Sequence, residues 1–231
     1  MKFYESGDNR KPVIFLFPGT CCLYNSFDHV LDGLYSYFYT VAVSYDGFDP
    51  NEKTEFYSME DECEKIEQEI RTKYGGRIKA AYGCSLGGSF VSLLIQRKRI
   101  HIDHGIIGSS DMDEAGSFMA KLQSSIIVPI MYKMVHTGKL PKFTQNKINE
   151  ADESRKKLID GFVNMFGIDK GGSPWITKQS VYNQFYSDLV TKVQHGIDVP
   201  GTTIHVFYAT KMGEKYEKRY CTYFKNPDIR K

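Results

Sequence analysis

One serine stands in a setting that can turn its hydroxyl into a nucleophile. Residues 83–87 are Gly-Cys-Ser-Leu-Gly, the pattern G-x-S-x-G centred on Ser85, and a further glycine, Gly88, follows it. In a nucleophile elbow the serine occupies a strained turn between a strand and a helix, so its hydroxyl projects from the end of a sheet. The flanking positions must be nearly bare because their backbones crowd the turn. Ser85 is therefore the candidate nucleophile.

The sequence on either side of the motif supplies the strand and the helix that such a turn requires. Residues 77–82 have the composition of a strand, and Phe90, Leu93 and Leu94 recur at helical spacing after the motif. The alternative is a glycine-rich turn of no chemical importance. The flanking elements favour the elbow.

Short apolar strands alternate with amphipathic helices over the first 111 residues. The second helix has an N-terminal capping arrangement, Ser58 with Asp61, and ends at Gly75-Gly76. An alternation of this kind predicts a parallel α/β sheet with helices on its faces. The predicted strands are residues 13–17, 40–45, 77–82 and 101–108.

The rhythm changes between residues 112 and 199, where no strand pattern is evident. Helical patterns occur instead at 118–135, 146–166 and 177–193, punctuated by prolines at 129, 141 and 174. This segment follows a strand's carboxyl end, where ligands bind in open α/β sheets. It therefore predicts a helical cap, or lid, spanning 112–199, with a core formed by 1–111 and 200–231. Ordinary helical packing that extends the core is the alternative.

The sheet resumes after the predicted cap. Residues 203–209 form a further apolar strand, residues 216–224 a last helix, and a strand begins again at Asp228. The fold class is accordingly α/β, a mostly parallel sheet flanked by helices with a helical cap insertion.

Composition excludes several classes of function. The chain has 231 residues, with 30 basic and 28 acidic side chains, so its charge indicates no nucleic-acid partner. No apolar run approaches the length of a membrane span, and the N-terminus lacks an apolar signal region. The five cysteines include no C-x-x-C pair, which argues against a disulfide framework and a zinc site. We expect no metal, no cofactor, no membrane association and a reducing cytoplasm.

Three motifs at the ends of three successive predicted strands carry a resemblance to a known family. They are Phe-Pro-Gly-Thr at 17–20, Ser-Tyr-Asp-Gly at 44–47 and Gly-Cys-Ser-Leu-Gly-Gly at 83–88. From about residue 10 onward the chain resembles the α/β hydrolases, in particular small serine hydrolases with a helical cap. The resemblance implies a mostly parallel sheet of about eight strands and nucleophilic hydrolysis of esters, thioesters or amides.

The resemblance also implies roles for individual residues. Ser85 matches the nucleophile, and the backbone N–H of Leu86, directly after it, matches one donor to the oxyanion. The N–H of Thr20, in Pro-Gly-Thr after the first apolar strand, matches the second donor. These main-chain groups form the predicted oxyanion hole.

The acid of the expected Ser–acid–His set lies between the serine and the histidine in chain order. Glu214, in the loop after the strand at 203–209, is the first choice. Asp111, at the end of the preceding strand, is the alternative, with Asp113 a weaker one.

No histidine stands at the family position, the loop after the last strand. His136, in the predicted cap, is the one that could approach Ser85 from above; the others are His29, His101, His104, His195 and His205. We expect the base to follow Lys231 in a longer chain. The alternative is a serine-only relative with little hydrolase activity.

The sequence therefore predicts a cytoplasmic serine hydrolase, carboxylesterase-like, that acts on a small-molecule acyl substrate. Two alternatives remain open: a non-catalytic ligand-binding protein on the same fold, and an acyltransferase, which would use the same acyl-enzyme. The sequence does not indicate an oligomeric state. Cys21, Cys22 and Cys84 near the site are interpreted as packing residues. Aromatic side chains of the cap are expected to line an acyl pocket: Phe118, Tyr132, Trp175, Tyr182 and Phe185.

Overall fold

The core of the molecule is a seven-stranded, mostly parallel sheet. The computed structural model describes residues 1–140, 153, 161, 163, 166, 171–210 and 213–231. Within them the sheet has the order β1-β3-β2-β4-β5-β6-β7. The strands are β1 (Lys2–Ser6), β2 (Val13–Phe17), β3 (Tyr39–Ser44), β4 (Arg77–Cys84), β5 (His101–Gly108), β6 (Thr203–Phe207) and β7 (Asp228–Arg230).

Helices connect the parallel strands and cover the sheet. The described helices are α1 (Asp28–Tyr35), α2 (Met59–Tyr74), α3 (Leu86–Arg97), α4 (Ser117–Thr137), α5 (Lys178–Val190) and α6 (Glu214–Tyr223). A short 3-10 turn, Tyr24–Phe27, precedes α1. The predicted α/β class and the predicted alternation of strands and helices are confirmed.

Strand β1 was not predicted from the sequence. It pairs antiparallel with β3 at the edge of the sheet, with Lys2 opposite Ser44 and Ser6 opposite Thr40. Its sequence, Lys-Phe-Tyr-Glu-Ser, lacks the apolar run of a strand buried on both faces, and its side chains are mostly half-buried. An edge strand needs only one partner, so the local pattern that marks it is weak.

The two faces of the sheet can be read from the alternation along β2. Phe15 and Phe17 point into the larger core cluster, which includes residues of α2 and α3 such as Ile66 and Phe90. Ile14 and Leu16 point the other way, into a smaller cluster that α1 covers. Because successive side chains of a strand alternate between faces, helices on both faces bury Ile14 to Phe17, and only Val13 is partly exposed.

Helix α2 has the predicted ends. The Ser58 hydroxyl accepts the N–H of Asp61 at 3.1 Å, and Gly75 adopts the left-handed conformation, φ 66°, at the C-cap. The capping hydroxyl satisfies one of the N–H groups that a helix start leaves free. Both signals were local, which is why the sequence predicted them.

Two helices of the predicted cap fall on described residues, and they pack against each other. Helix α4 spans Ser117–Thr137, close to the predicted helical pattern at 118–135, and contains Pro129; α5 follows at Lys178–Val190. The predicted helix at 146–166 lies outside the described residues apart from isolated positions. Among the described helices, none has the length and apolar character needed to cross a membrane.

Candidate active site

Ser85 occupies a strained turn between the end of β4 and the start of α3. Its φ of 52° and ψ of −119° lie in a region that residues with a side chain rarely adopt. Two backbone hydrogen bonds hold it there: the N–H of Ser85 donates to the carbonyl of Gly108 at 2.9 Å, and the N–H of Gly88 donates to the carbonyl of Ser85 at 2.8 Å. The turn has the geometry predicted for a nucleophile elbow.

The glycines around Ser85 are there because no side chain fits. A Cβ on Gly83 would overlap the backbone of Gly87, and a Cβ on Gly87 would overlap the carbonyl of Phe17. A Cβ on Gly88 would lie 2.7 Å from the Cβ of Ser110. The start of α3 is thus pressed against the ends of β2, β4 and the residues after β5.

The loop after β2, residues 18–22, lies against the elbow. A Cβ built on Gly19 would be 3.5 Å from the Cβ of Ser85 and 3.3 Å from the carbonyl oxygen of Cys84. The next residue, Thr20, has a backbone N–H for which the described residues provide no acceptor. Leu86 begins α3, and the first N–H groups of a helix lack an intrahelical acceptor. Both predicted oxyanion donors are therefore free amides close to Ser85 in the chain or in space.

Three contacts fix the shape of this loop. The hydroxyl of Tyr45 donates to the carbonyl of Pro18 at 3.2 Å, and the N–H of Cys22 donates to the carbonyl of Gly19 at 3.0 Å. The N–H of Cys21 donates to Oε1 of Gln184 at 2.7 Å. Cys21 itself has a φ of 60°, an uncommon value outside glycine. The loop is rigidly held, and Gln184 was not singled out by the sequence because its partner lies 163 residues away.

The thiols beside Ser85 are kept protonated. Burial raises the pKa of Cys21 to about 12 and that of Cys22 well above its ordinary value. Burial also raises the pKa of Cys84, although the hydroxyl of Tyr82 opposes the shift. Since the thiolate is the reactive form, these cysteines have the character of packing residues and not of nucleophiles.

The two candidate acids occupy different surroundings. Glu214 is exposed at the start of α6 and makes no ion pair or hydrogen bond with the described residues; with Tyr208, Glu217 and Lys218 it lines an open groove of about 650 Å³. Asp111 follows Ser110, which faces Gly88 of the elbow, and its backbone carbonyl accepts a hydrogen bond from Arg219. The weaker alternative, Asp113, forms an ion pair with Arg219.

A third carboxyl group near α3 was missed by the sequence. Asp188, on α5, accepts a hydrogen bond from Ser89, one helical turn after Ser85. Burial raises the pKa of Asp188 to about 7, and the negative charges of Asp111 and Asp113 add to the shift although the Ser89 bond opposes it. No periodic or motif signal marks this residue, because its environment comes from α3 and the residues after β5.

Five of the six histidines have described partners other than Ser85. His205 contacts Asp228 through Nδ1 at 2.9 Å and His104 through Nε2 at 3.1 Å, so this group lies across β5, β6 and β7. His136 approaches the carbonyl of Ile176 at 3.3 Å and packs on Tyr132. The remaining three are His101, near Asp103, His195, against the ring of Tyr223, and His29, on α1. The histidine expected after the last strand stays a prediction.

Among the described residues, one group of carboxylates has the spacing of a metal site. Oxygens of Asp46, Asp61 and Glu62 lie within 4.8 Å of one another at the end of β3. The ammonium of Lys65 contacts all three, and the Met1 amino group also contacts Asp46. Cationic groups of the protein thus already contact the cluster, and these ion pairs tie α2 to the motif at 44–47.

The aromatic residues predicted for the acyl pocket divide into two sets. Phe118 is 79% exposed and Trp175 is 37% exposed. Tyr132, Tyr182 and Phe185 are partly buried against the main core cluster. These three partly buried residues, which lie on α4 and α5, are the ones that remain candidates for lining a pocket.

The fold is shared with solved structures of hydrolases. The chain is similar to an α/β-hydrolase family protein from Desulfitobacterium hafniense, with a TM-score of 0.74, 14% identity and coverage of 99% of this chain and 89% of the other. It is similar to MenH from S. aureus, with a TM-score of 0.71, 11% identity and coverage of 99% and 88%. A marine microorganism esterase matches with a TM-score of 0.67, 12% identity and coverage of 99% and 88%.

No model of a protein family matches the sequence, and no curated protein matches it. At these identities the structural matches establish the fold, which is that of the α/β hydrolases, and the chemistry must be argued from the site.

Proposed function

We propose that the protein is a serine hydrolase that cleaves a small ester or a related acyl bond through an acyl-enzyme on Ser85. The observation that carries the proposal is the strained backbone of Ser85, φ 52° and ψ −119°, at the junction of β4 and α3. Strain of this kind persists only where the surrounding structure over-determines it, and it is concentrated at functional sites.

The proposed reaction has two steps. The hydroxyl oxygen of Ser85 attacks the acyl carbon and loses its proton to a base; the leaving alcohol takes a proton and departs. Water then attacks the acyl-enzyme and releases the acid. The negative charge of each tetrahedral intermediate is stabilised by the backbone N–H groups of Thr20 and Leu86. Loss of one such donor typically costs about 3–4 kcal/mol of transition-state stabilisation.

The substrate is proposed to be a small molecule that enters at the carboxyl edge of the sheet. Helix α5 lies over this edge: the N–H of Phe56 donates to the hydroxyl of Ser180, and Asn183 donates to the carbonyl of Phe56 at 2.8 Å. These contacts support a cap formed within 112–199, over a core of 1–111 and 200–231. A cytoplasmic location is consistent with the five cysteines, which form no disulfide bond.

A second candidate function is ligand binding without catalysis. The positions of the histidines favour it, because the described contacts place five of them on partners other than Ser85, and His29 is exposed on α1. Acyl transfer is the third, since it differs from hydrolysis only in the group that attacks the acyl-enzyme. Hydrolysis and acyl transfer share the formation of the acyl-enzyme, and they differ in whether water or another molecule accepts the acyl group.

The test is covalent labelling with a fluorophosphonate, followed by peptide mapping. We expect labelling at Ser85 and none in Ser85→Ala, with Cys84→Ala as the control that keeps the serine and removes the adjacent thiol. Labelling that survives Ser85→Ala would refute the assignment. Absence of labelling in the wild-type chain, together with no turnover on ester, thioester and amide panels, would favour the binding protein.

Turnover of a short-chain nitrophenyl ester gives the second readout. If a base activates Ser85, Ser85→Ala should lower kcat by a factor of about 10⁴–10⁶, the usual cost of losing the nucleophile of a complete triad. His136→Ala in the same assay tests the histidine of the predicted cap. Unchanged turnover would show that another group acts as the base.

A further inference from the structure

Gln184 connects helix α5 to the loop that follows β2. Its side-chain oxygen accepts the N–H of Cys21 at 2.7 Å, and both residues are buried. Tyr45 and Cys22 hold the two ends of the same loop through the carbonyls of Pro18 and Gly19. Of the contacts that shape the loop, the one from Gln184 is the only one described that reaches it from the segment 112–199.

Only the oxygen of the Gln184 side-chain amide has a described hydrogen-bond partner. Its Nε2 is buried and has no hydrogen-bond partner among the described residues. A buried donor without a partner is unfavourable, and an apolar side chain of the same length would avoid it. A glutamine at this position is therefore explained by what its oxygen does and not by a general gain in stability.

The oxygen of Gln184 fixes the peptide plane next to the proposed oxyanion donor. The N–H of Thr20 shares a peptide plane with the carbonyl of Gly19, which accepts the N–H of Cys22 at 3.0 Å. The N–H of Cys21 belongs to the following plane, and only the Thr20 Cα separates the two. Since Cys21 has a φ of 60°, this second plane sits in an uncommon orientation that an acceptor must hold.

We propose that Gln184 is a positioning residue: through the N–H of Cys21 it sets the direction of the Thr20 N–H, and so couples α5 to the oxyanion hole. This inference rests on the proposed function. It assigns to the predicted cap a part in the chemistry beyond covering the site. Helix α5 is suited to this because Ser180 and Asn183 anchor it to Phe56, on the loop after β3.

The experiment compares two replacements of similar size in the full chain. Gln184→Met removes the acceptor and leaves the N–H of Cys21 unpaired, whereas Gln184→Glu keeps an oxygen acceptor in place. Val181→Ala, on the same helix and equally buried, is the control for loosened packing of α5. Two measurements are made on each: kcat and KM for the nitrophenyl ester, and backbone hydrogen exchange of the peptide that contains residues 18–22.

We expect Gln184→Met to lower kcat by about 10-fold or more, with KM changed less than about 2-fold. The upper bound is the factor of about 10²–10³ for complete loss of a donor. Hydrogen exchange at 18–22 should rise in the same variant. Gln184→Glu should recover most of both, and Val181→Ala should alter neither beyond its effect on global stability.

The outcomes separate this inference from the proposed function. If the wild-type chain neither turns over the ester nor reacts with a fluorophosphonate, the proposed function fails and takes the inference with it. If the wild type reacts and Gln184→Met retains its kcat, the inference alone is overturned. It is also overturned if Gln184→Met and Val181→Ala lose kcat equally, or if Gln184→Glu gives no recovery, because the effect is then one of packing.

Discussion

Two loops at the carboxyl edge of the sheet carry residues proposed for catalysis, and they are built in opposite ways. The turn from β4 to α3 is closed by backbone contacts at Gly83 and Gly87, where no Cβ fits. The stretch from β6 to α6 ends at Glu214, an exposed carboxylate without a described partner. The turn at Ser85 is constrained by its own backbone, whereas the Glu214 side chain has no described contact that holds it.

The difference shows which parts of an active site are determined by residues that are close together in the sequence. Ser85 is placed by its immediate neighbours, so a five-residue pattern is enough to find it. An acid is placed by whatever it must orient, and that partner can lie anywhere in the chain. Glu214, Asp111 and Asp188 therefore remain three carboxylates whose roles only substitution can separate.

The largest expected effect is the loss of kcat when the acid that orients the base is substituted. If Glu214 orients the base, Glu214→Gln should lower kcat by about 10⁴-fold, as loss of the triad acid does in serine proteases. Asp111→Asn is the matched comparison and should leave kcat within a few-fold. The reverse result would move the role to Asp111, in the segment after β5, and away from the start of α6.

The turn from β4 to α3 should not tolerate a Cβ atom at Gly87. Gly87→Ala would press a methyl group into the carbonyl of Phe17, which is backbone and cannot move aside. We expect a loss of about 3 kcal/mol or more in the free energy of unfolding, measured by urea denaturation. Gly33→Ala, in α1 with open space around it, is the control and should gain about 0.5–1 kcal/mol. Equal effects at the two glycines would contradict the close packing of the elbow.

The buried carboxyl of Asp188 should make stability fall as pH rises. Its pKa is about 7 in the folded chain against an ordinary value of 3.8, so between these pH values the unfolded chain loses this proton while the folded chain keeps it. Stability from this group is complete below about pH 4, declines up to about pH 7 and then levels off. We expect a decline of a few kcal/mol, since the two pKa values differ by about three units and one unit corresponds to about 1.4 kcal/mol.

Asp188→Asn should remove that part of the pH dependence. Glu62, whose pKa burial also raises to about 7, changes stability in the same direction and is retained in the variant. The difference between the two urea-derived stability curves therefore isolates Asp188. Parallel curves from pH 4 to pH 8 would show that Asp188 is ionised in the folded chain.

The smallest effect concerns the strain at Ser85 itself. Ser85→Gly relieves a backbone conformation that costs about 1–3 kcal/mol for a residue with a side chain, although glycine gains freedom in the unfolded chain. We expect a net gain of about 1 kcal/mol in stability. Ser92→Gly, within α3, should instead lose about 1 kcal/mol. A destabilised Ser85→Gly would mean that the turn stores no strain.

The sequence was sufficient for features that depend on neighbours in the chain. The β5 limits, His101–Gly108, and the Ser58 cap of α2 agree with the predicted ones because apolar runs and caps are local signals. The ends of β6 and α6 differ from prediction by about two residues, at Phe207 and Glu214.

What the sequence could not supply depends on contacts across the fold. Edge strand β1 is defined by its pairing with β3 and carries little apolar signal of its own. Gln184 and Asp188 acquire their roles from Cys21 and Ser89, which lie far from them in the chain.

Helix α3 has an electrostatic consequence of its own. Its residues from Leu86 to Ile95 are all buried, so almost no water surrounds the helix that starts at Ser85. The aligned peptide dipoles place about half a positive charge at that start, typically worth about 0.3–1 kcal/mol to an anion at an exposed position. At the far end Arg97, paired with Glu67 at 2.6 Å, supplies the cation that this polarity favours. Ser85 itself is exposed, so mobile ions can approach an oxyanion there, and this contribution should weaken as the ionic strength rises.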